Sequence, residues 1–233
     1  MIIRAGSLSE RNMYMSITER IRQVLRRFET IGLDELDDVR LMNRRDMKYV
    51  FPVHLVPDLL AALAPHYRVL EIEGRCGQAY ETIYYDTKDL DMYKMHHRGK
   101  RERHKVRFRK YASSGTVFLE VKRKDNRGVT EKNRVECEGA ERWLLSEEEE
   151  FLSTHSPYDQ ERLSPVIENS FNRITLISRH EKERITIDHD LVIRDAGGPD
   201  EVDLQGIAIA EVKREGTVRH SLLSDRSEEH TSE

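Results

Sequence analysis

The residues of this chain that are best suited to chemistry are cations that recur at every second position of short segments. Lys105, Arg107 and Arg109 alternate with Val106 and Phe108. Successive side chains of a β-strand point to opposite faces, so a strand here would present the three cations on one face and the apolar pair on the other. Guanidinium and ammonium groups match phosphate oxygens in charge and geometry. The segment is therefore a candidate phosphate-binding strand.

The segment 118–124 repeats this pattern after a turn that Ser113, Ser114 and Gly115 predict. Glu120, Lys122 and Lys124 would share one face of a second strand. Cations stacked on adjacent strands repel one another at contact distances. We expect a fold to keep such an arrangement only where an anion occupies the space between the cations, and repeated phosphates are the obvious candidate.

The charge distribution supports a binding surface. From residue 94 to residue 134 the chain carries fifteen Lys and Arg against four Asp and Glu, although its net charge is only −4. A block of like charge is often a solvated face, and a nucleic-acid or polyanion binding module without catalysis is a second alternative. Such modules interleave exposed aromatic residues for base stacking. Here Tyr111 and Phe118 fall at strand ends and Phe108 falls on the apolar face, so we expect no nucleic-acid ligand.

Further strands and helices must position these residues. Alternating patterns predict strands over 49–51, 81–87, 170–177, 183–193 and 207–214, and helical patterns predict helices over 17–31, 57–66 and 141–152. A charged sheet face of this density is explained if the sheet closes on itself so that the face lines a channel. We therefore predict an α+β, mostly β fold: an antiparallel closed β-barrel with flanking helices. No apolar stretch is long enough to span a membrane.

Seven short motifs give the chain a family resemblance. They are RRDMKY at 44–49, TIYYDT at 82–87, KVRFRKY at 105–111, LEVK at 119–122, KNR at 132–134, ERITID at 183–188 and AEVK at 210–213. In this order they resemble the VTC domain, the polyphosphate polymerase domain of the vacuolar transporter chaperone complex and its bacterial relatives, within the triphosphate tunnel metalloenzyme superfamily, which also holds the CYTH proteins. The resemblance implies a barrel whose hollow, the triphosphate tunnel, binds triphosphate or polyphosphate. It also implies transfer of the ATP γ-phosphate onto a polyphosphate chain with a divalent metal.

The resemblance also implies roles for individual residues. The expected catalytic set is Lys48, Arg107, Arg109, Lys122 and Lys213, and the expected substrate-binding set is Arg45, Lys105, Lys124, Lys132, Arg173 and Arg184. Hard divalent cations take carboxylate oxygens, so Glu211 is the first candidate to hold Mn²⁺ or Mg²⁺ and Glu120 is the second. The alternative for each glutamate is an ordinary ion pair with the lysine two positions on. The expected ligands are ATP and polyphosphate or triphosphate.

Other polar and aromatic residues have simpler expected roles. Asp86 and Asp188 are expected to end strands or to pair with arginines, and His96 and His97 are expected at the surface. Three aromatic residues are expected in the core: Tyr84, Tyr85 and Phe108.

The resemblance leaves two rival activities open, a triphosphatase and a nucleotidyl cyclase, which would use the same tunnel with water or a ribose hydroxyl as acceptor.

The expected domains are an N-terminal extension with a helix over 1–30, a VTC-like tunnel domain over 31–224, and a non-native or truncated tail over 225–233. The family has a Ser-Lys-Tyr segment that residues 224–233 do not resemble, which would impair the enzyme, and it has Tyr where this chain has Phe171. We expect a cytoplasmic location, and a membrane-protein partner stays open.

Overall fold

The computed structural model describes residues 15–37, 44–138 and 146–215, in which antiparallel strands predominate. The elements in chain order are α1 (Ile17–Leu25), β1 (Thr30–Ile31), α2 (Leu33–Asp37), β2 (Arg44–Pro52), α3 (Val56–Leu63), β3 (Tyr67–Leu70), β4 (Gly77–Thr87), α4 (Asp91–His97), β5 (Arg103–Tyr111), β6 (Val117–Lys124), β7 (Thr130–Cys137), α5 (Ser146–His155), β8 (Leu163–Ser178), β9 (Glu183–Asp195), β10 (Glu201–Asp203) and β11 (Ile207–Glu215), with 3₁₀ turns at Val53–Leu55 and Gln160–Arg162. The predicted α+β, mostly β class with flanking helices is confirmed. The chain forms two compact units, and β8 and β9 contribute to both.

The first unit comprises the described residues before 78, from 173 to 189 and after 204. In it β11 lies between β2 and the start of β9, antiparallel to both, while β3 pairs with the end of β8 and with β1. Apolar residues alternate with charged ones along β9 and β11. The apolar ones, such as Ile185, Ile187 and Val212, are buried against Ile21 of α1 and Leu60 of α3. The charged residues of these strands therefore share the opposite face.

The second unit comprises the described residues within 78–172 and 190–204. Here β4, β5, β6 and β7 form an antiparallel meander, in which α4 lies between β4 and β5 and short turns join the later strands. Gly115 and Gly128 occupy two of the turns with φ of +72° and +88°, a left-handed conformation that glycine adopts without strain. One face of the meander buries Phe108 and Leu119 against Leu152 of α5. The other face carries Arg107, Arg109, Glu120 and Lys122.

Hydrogen bonds among the described residues do not close either unit's strands into a ring. The strand order is β2-β11-β9-β8-β3-β1 in the first unit and β8-β4-β5-β6-β7 in the second, where β10 also pairs with the end of β9. The mostly antiparallel sheet of the prediction is therefore present, and hydrogen-bonded closure is not observed within either unit. None of the helices in the described ranges is both long and apolar enough to cross a bilayer.

Several predicted boundaries need correction. The helix predicted over 17–31 ends at Leu25, because Thr30–Ile31 pairs in parallel with β3 and an extended backbone cannot continue a helix. The helix predicted over 57–66 is α3, and the one predicted over 141–152 corresponds to α5, since residues 139–145 lie outside the described residues. The predicted tail over 225–233 also lies outside them. The strand β7 and the helix α4 were not predicted.

Candidate functional site

Four strands of the second unit, β4 to β7, align their charged residues on one face, here named the β5 face. The register places Arg107 between Tyr84 and Glu120, and it places Arg109 opposite Thr82. The members of the β5 face are Thr82, Tyr84, Lys105, Arg107, Arg109, Glu120, Lys122, Lys132 and Arg134. Strand alternation brings them together, since each strand contributes every second residue.

Glu120 is the buried centre of the β5 face, with only 1% of its surface exposed. Its Oε2 lies 2.6 Å from Nη2 of Arg107, and its Oε1 lies 2.6 Å from Nζ of Lys132. Burial alone would raise the pKa of this carboxyl, but the charges of Arg107 and Lys132 outweigh burial and hold the pKa of Glu120 below its usual value. Glu120 is therefore an ionised carboxylate with each oxygen held by a cation.

The two arginines of β5 are held by neighbours on β4. Arg107 donates from Nη1 to the Tyr84 hydroxyl at 3.2 Å, and Arg109 donates from Nε to Oγ1 of Thr82 at 3.3 Å. The Arg109 guanidinium also lies 5.3 Å from the centroid of the Tyr80 ring. Burial raises the pKa of Tyr84, but the charge of Arg107 outweighs it and the net pKa is lowered. Both arginines are thus fixed on one face of β5, at positions whose Cα atoms are about 7 Å apart.

Three lysines face one another across the β5 face. Lys105, Lys122 and Lys132 occupy opposing positions on β5, β6 and β7. Burial lowers the pKa of Lys132 in spite of its pair with Glu120. Lys105 and Lys122 are exposed, and Lys124 lies two residues further along β6 on the same face. Lys105, Lys122 and Lys132, here named the lysine row, thus lie beside the fixed arginines, and the first two are exposed to solvent.

The first unit has its own charged face, here named the β11 face. Its members on β2, β8, β9 and β11 are Asp46, Lys48, Arg173, Arg184, Thr186, Asp188, Glu211 and Lys213. Glu211 contacts Nζ of Lys213 at 2.7 Å and Nζ of Lys48 at 3.9 Å. Burial would raise the pKa of Glu211, but its bond to Lys213 and the nearby cations outweigh burial and lower it. The pKa of Lys213 is also lowered, but here burial is the cause and it outweighs the charge of Glu211.

Arg173 makes a two-pronged ion pair with Asp188 on the β11 face. The Nε–Oδ1 and Nη2–Oδ2 distances are both 2.6 Å. The expectation that Asp188 pairs with an arginine is confirmed. Arg184 lies opposite Lys213 in the register of β9 and β11. The predicted phosphate-binding residues Lys48, Arg173, Arg184 and Lys213 therefore lie on one face.

The two candidate metal ligands differ in how well they suit a divalent cation. No group of three or more His, Cys, Asp or Glu able to hold a metal occurs in the described part of the chain. Mg²⁺ usually binds through one or two carboxylates together with substrate phosphates. Glu211 suits this mode better, because its side chain is 18% exposed and its Oε1 lies 3.9 Å from Nζ of Lys48, a longer contact than either of the two that Glu120 makes. Glu120 does not suit it, because it is buried and each oxygen already contacts a cation.

Some site residues lie elsewhere than the sequence suggested. Arg45 lies on the face of β2 opposite to Lys48, since it is an odd number of residues away and faces Arg214. Tyr84 was predicted in the core and lies on the β5 face instead, bonded to Arg107. Tyr85 and Phe108 are buried as predicted. Strand alternation was the available signal for Thr82 and Tyr84, because it places both on one face of the predicted strand over 81–87.

Comparison with known proteins assigns the chain to a family. Residues 43–231 match the VTC domain. No curated protein sequence matches the chain. Similar solved structures include a proposed adenylate cyclase from Bacillus halodurans (17% identity, 82% of this chain and 91% of that chain, TM-score 0.44), the PH1819 protein from Pyrococcus horikoshii OT3 (13%, 81% and 86%, 0.41) and a Hippeastrum protein with a dominant triphosphatase activity (14%, 82% and 84%, 0.37). Because the family match spans most of its length, the chain belongs to the VTC domain family.

Proposed function

We propose that this protein is a metal-dependent phosphotransferase that moves the γ-phosphate of ATP onto a polyphosphate chain. The observation that carries the proposal is the β5 face, where the guanidinium groups of Arg107 and Arg109 are fixed beside the lysine row of Lys105, Lys122 and Lys132. Repeated cations at strand spacing suit a linear anion with a repeated charge. Membership of the VTC domain family supports the same conclusion.

The chemistry needs little from the protein beyond positioning and charge. In phosphoryl transfer the donor and acceptor must be aligned, and the charge on the equatorial oxygens must be neutralised. On the β5 face Arg107 and Arg109 would bind phosphate oxygens as planar forks, while Lys105 and Lys122 would act as point charges. The terminal phosphate oxygen of the acceptor forms the new bond to the γ-phosphorus, and the bond to the β-phosphate oxygen breaks and releases ADP. No side-chain nucleophile is required.

Glu211 is the residue that we propose to hold Mn²⁺ or Mg²⁺. Its partly exposed carboxylate would supply one ligand, and phosphate oxygens would supply others. Such a cation supplies Lewis-acid stabilisation of the charge on phosphate oxygens. Lys48 and Lys213, which contact Glu211 in the ligand-free chain, are placed to bind the same phosphates. Glu120 has a different role, which is to hold Arg107 and Lys132 in place.

Aromatic packing on the β5 face argues against a nucleic-acid ligand. Base stacking needs an open ring face. The ring of Tyr80 packs on Phe171 with centroids 5.3 Å apart, and the Arg134 guanidinium lies 4.6 Å from the Phe118 ring centroid. These rings are already covered by neighbouring side chains. A polyanion without bases is the better match.

The decisive experiment is a product assay with the full chain, ATP and Mn²⁺. We expect long-chain polyphosphate, whereas free phosphate would identify a triphosphatase and cyclic AMP would identify a cyclase. Lys122→Ala should abolish most of the turnover. Arg123→Ala is the matched control, since Arg123 is the next residue of β6, lies on the other face and pairs with Glu102 at 3.2 Å. Absence of metal-dependent ATP turnover in the unaltered chain would refute the proposed enzyme activity.

A competition experiment tests the rival binding module. Single-stranded RNA is added to the protein loaded with tripolyphosphate at one fixed salt concentration, because both ligands bind in a salt-dependent way. We expect RNA to displace tripolyphosphate poorly. Tighter binding of RNA would favour the nucleic-acid module and contradict our proposal.

A further inference from the structure

The hydroxyl of Thr186 is a buried polar group on the β11 face that the proposed function leaves without a role. Ile185 and Ile187, on either side of it in β9, are fully buried in the core of the first unit. Strand alternation therefore directs Thr186 to the β11 face. Only 5% of Thr186 is exposed, and its Oγ1 has no hydrogen-bond partner among the described residues. Such a hydroxyl has lost its bonds to water without a replacement, which is rare in folded proteins.

Glu211 lies directly opposite Thr186 in the register of β9 and β11. The Cβ atoms of directly opposite residues are about 5 Å apart, so a threonine hydroxyl and a glutamate carboxylate at such positions can form a hydrogen bond. In the structure the carboxylate contacts lysines instead. Its Oε2 lies 2.7 Å from Nζ of Lys213, and its Oε1 lies 3.9 Å from Nζ of Lys48. The unbonded hydroxyl therefore lies next to the residue that we propose as the metal ligand.

The other carboxylate on this part of the face is a poorer acceptor for Thr186. Asp188 is two positions further along β9 on the same face, a spacing of about 7 Å between Cα atoms. Both oxygens of Asp188 already contact Arg173 at 2.6 Å. Glu211 is closer in the register, and its contact with Lys48 is long. Glu211 is therefore the acceptor that the geometry favours.

We propose that Thr186 is a positioning residue for Glu211, whose hydroxyl donates to one carboxylate oxygen while the other oxygen holds Mn²⁺ or Mg²⁺. The inference rests on the proposed function, because it concerns the glutamate that would hold the cation there. Substrate phosphates would compete with Glu211 for Lys48 and Lys213, and a carboxylate oxygen that a lysine leaves can accept from Thr186. Carboxylates that bind metals are themselves held by hydrogen bonds, and loss of such a partner lowers metal affinity about 10–100-fold.

Replacement of Thr186 by valine separates this role from a structural one. Valine has a similar branched shape and lacks the hydroxyl. Because the hydroxyl has no partner before a ligand binds, its removal breaks no hydrogen bond and should not destabilise the ligand-free protein. Thr87 supplies a matched control, since it is also buried but its Oγ1 accepts a hydrogen bond from the N–H of Asp91 at 3.1 Å. Thr87→Val should therefore lower stability.

The test measures metal binding and stability without turnover. The full chain is titrated by calorimetry with tripolyphosphate in EDTA and with the preformed Mn²⁺–tripolyphosphate complex. Urea unfolding of the ligand-free protein is followed by circular dichroism. Three variants are compared with the unaltered chain: Thr186→Val, Thr186→Ser and Thr87→Val. The ratio of the two affinities reports the contribution of the cation in each protein.

We expect Thr186→Val to bind the Mn²⁺ complex about tenfold more weakly or less tightly still, and to bind metal-free tripolyphosphate as the unaltered chain does. Its urea midpoint should equal or exceed that of the unaltered chain. Thr186→Ser keeps the hydroxyl and should bind both ligands normally. Thr87→Val should have a lower urea midpoint and an unchanged ratio of affinities.

Equal affinity of Thr186→Val and the unaltered chain for the Mn²⁺ complex would overturn the inference. An equal loss of affinity with and without Mn²⁺, or a urea midpoint lowered as in Thr87→Val, would also overturn it, because the hydroxyl would then have a structural role. These outcomes leave the proposed function intact. Absence of ATP turnover in the unaltered chain would refute the proposed activity, whereas the effect of Thr186 on metal binding would still be measurable.

Discussion

Replacement of the buried carboxylate by an amide, Glu120→Gln, should lower the free energy of unfolding at pH 7 by about 3 kcal/mol. The substitution conserves the shape of the side chain and removes its charge. Arg107 and Lys132 would then share a face with no counter-charge at 2.6 Å. Loss of one partner from a buried ion pair costs roughly 3–5 kcal/mol, because the remaining charge is left uncompensated.

Exposure sets where in this range the value falls. The Lys132 side chain is 44% exposed and that of Arg107 is 22% exposed, so water solvates part of the charge that Glu120 would leave behind. The lower end of the range is therefore expected. The matched control is Glu81→Gln, which breaks an exposed pair with Lys110 at 3.2 Å. Exposed pairs contribute about 0–1 kcal/mol, so the control should change stability little.

The assay is urea unfolding followed by circular dichroism, with and without tripolyphosphate. A ligand at 100 times its dissociation constant stabilises a protein by about 2.7 kcal/mol. Glu120→Gln should bind the anion more tightly than the unaltered chain, because Arg107 and Lys132 no longer share a carboxylate, and should gain more stability at equal ligand concentration. A stability loss no larger than that of Glu81→Gln, with no extra gain from tripolyphosphate, would refute this account of Glu120.

Three further predictions follow from the two charged faces. Acid should destabilise the protein, because the pKa values of Glu120 and Glu211 are below normal in the folded chain. Their contribution to the free energy of unfolding is present above the unfolded pKa of about 4.3 and is lost as the pH falls through the folded values. A Glu120→Gln variant as acid-sensitive as the unaltered chain would contradict this. Arg107→Ala should weaken tripolyphosphate binding about tenfold or more by calorimetry, whereas Lys110→Ala, which removes a cation from the other face of β5, should not; equal losses in the two variants would argue for a general charge effect. Glu211→Gln should abolish Mn²⁺-dependent turnover and retain tripolyphosphate binding without metal, and full turnover in this variant would exclude Glu211 as the metal ligand.

Strand alternation was sufficient to predict most of both charged faces. It placed Lys105, Arg107 and Arg109 together on β5 because apolar residues separate them and pack in the core. It was not enough to predict β7, where Val135 and Cys137 are the only apolar residues on the face opposite to Lys132, Arg134 and Glu136, and Glu131 and Asn133 occupy the rest of that face. That segment is a strand because β6 supplies its hydrogen-bond partners, which is a tertiary effect.

The ion-pair partners of Glu120 could not be predicted from the sequence either. Its spacing suggested a pair with Lys122, two positions on along the same strand. Directly opposite residues on adjacent strands are closer, with Cβ atoms about 5 Å apart against about 7 Å for the i, i+2 spacing. Arg107 lies opposite Glu120 in the register, and Lys132 reaches it from β7. Glu211 does pair with Lys213, two positions on, at 2.7 Å.

The ion pairs also correct the physical argument that led from cations to phosphate. Clustered cations were expected to require an external anion, yet on each face the chain supplies carboxylates of its own. Glu120 lies between Arg107 and Lys132 on the β5 face, while on the β11 face Glu211 contacts Lys213. Arg107, Lys132 and Lys213 thus have carboxylate partners within the chain, and an external anion is not needed to offset their charge. The named members of the β5 face still comprise six cations and one carboxylate, and this net positive charge is what a phosphate chain would neutralise.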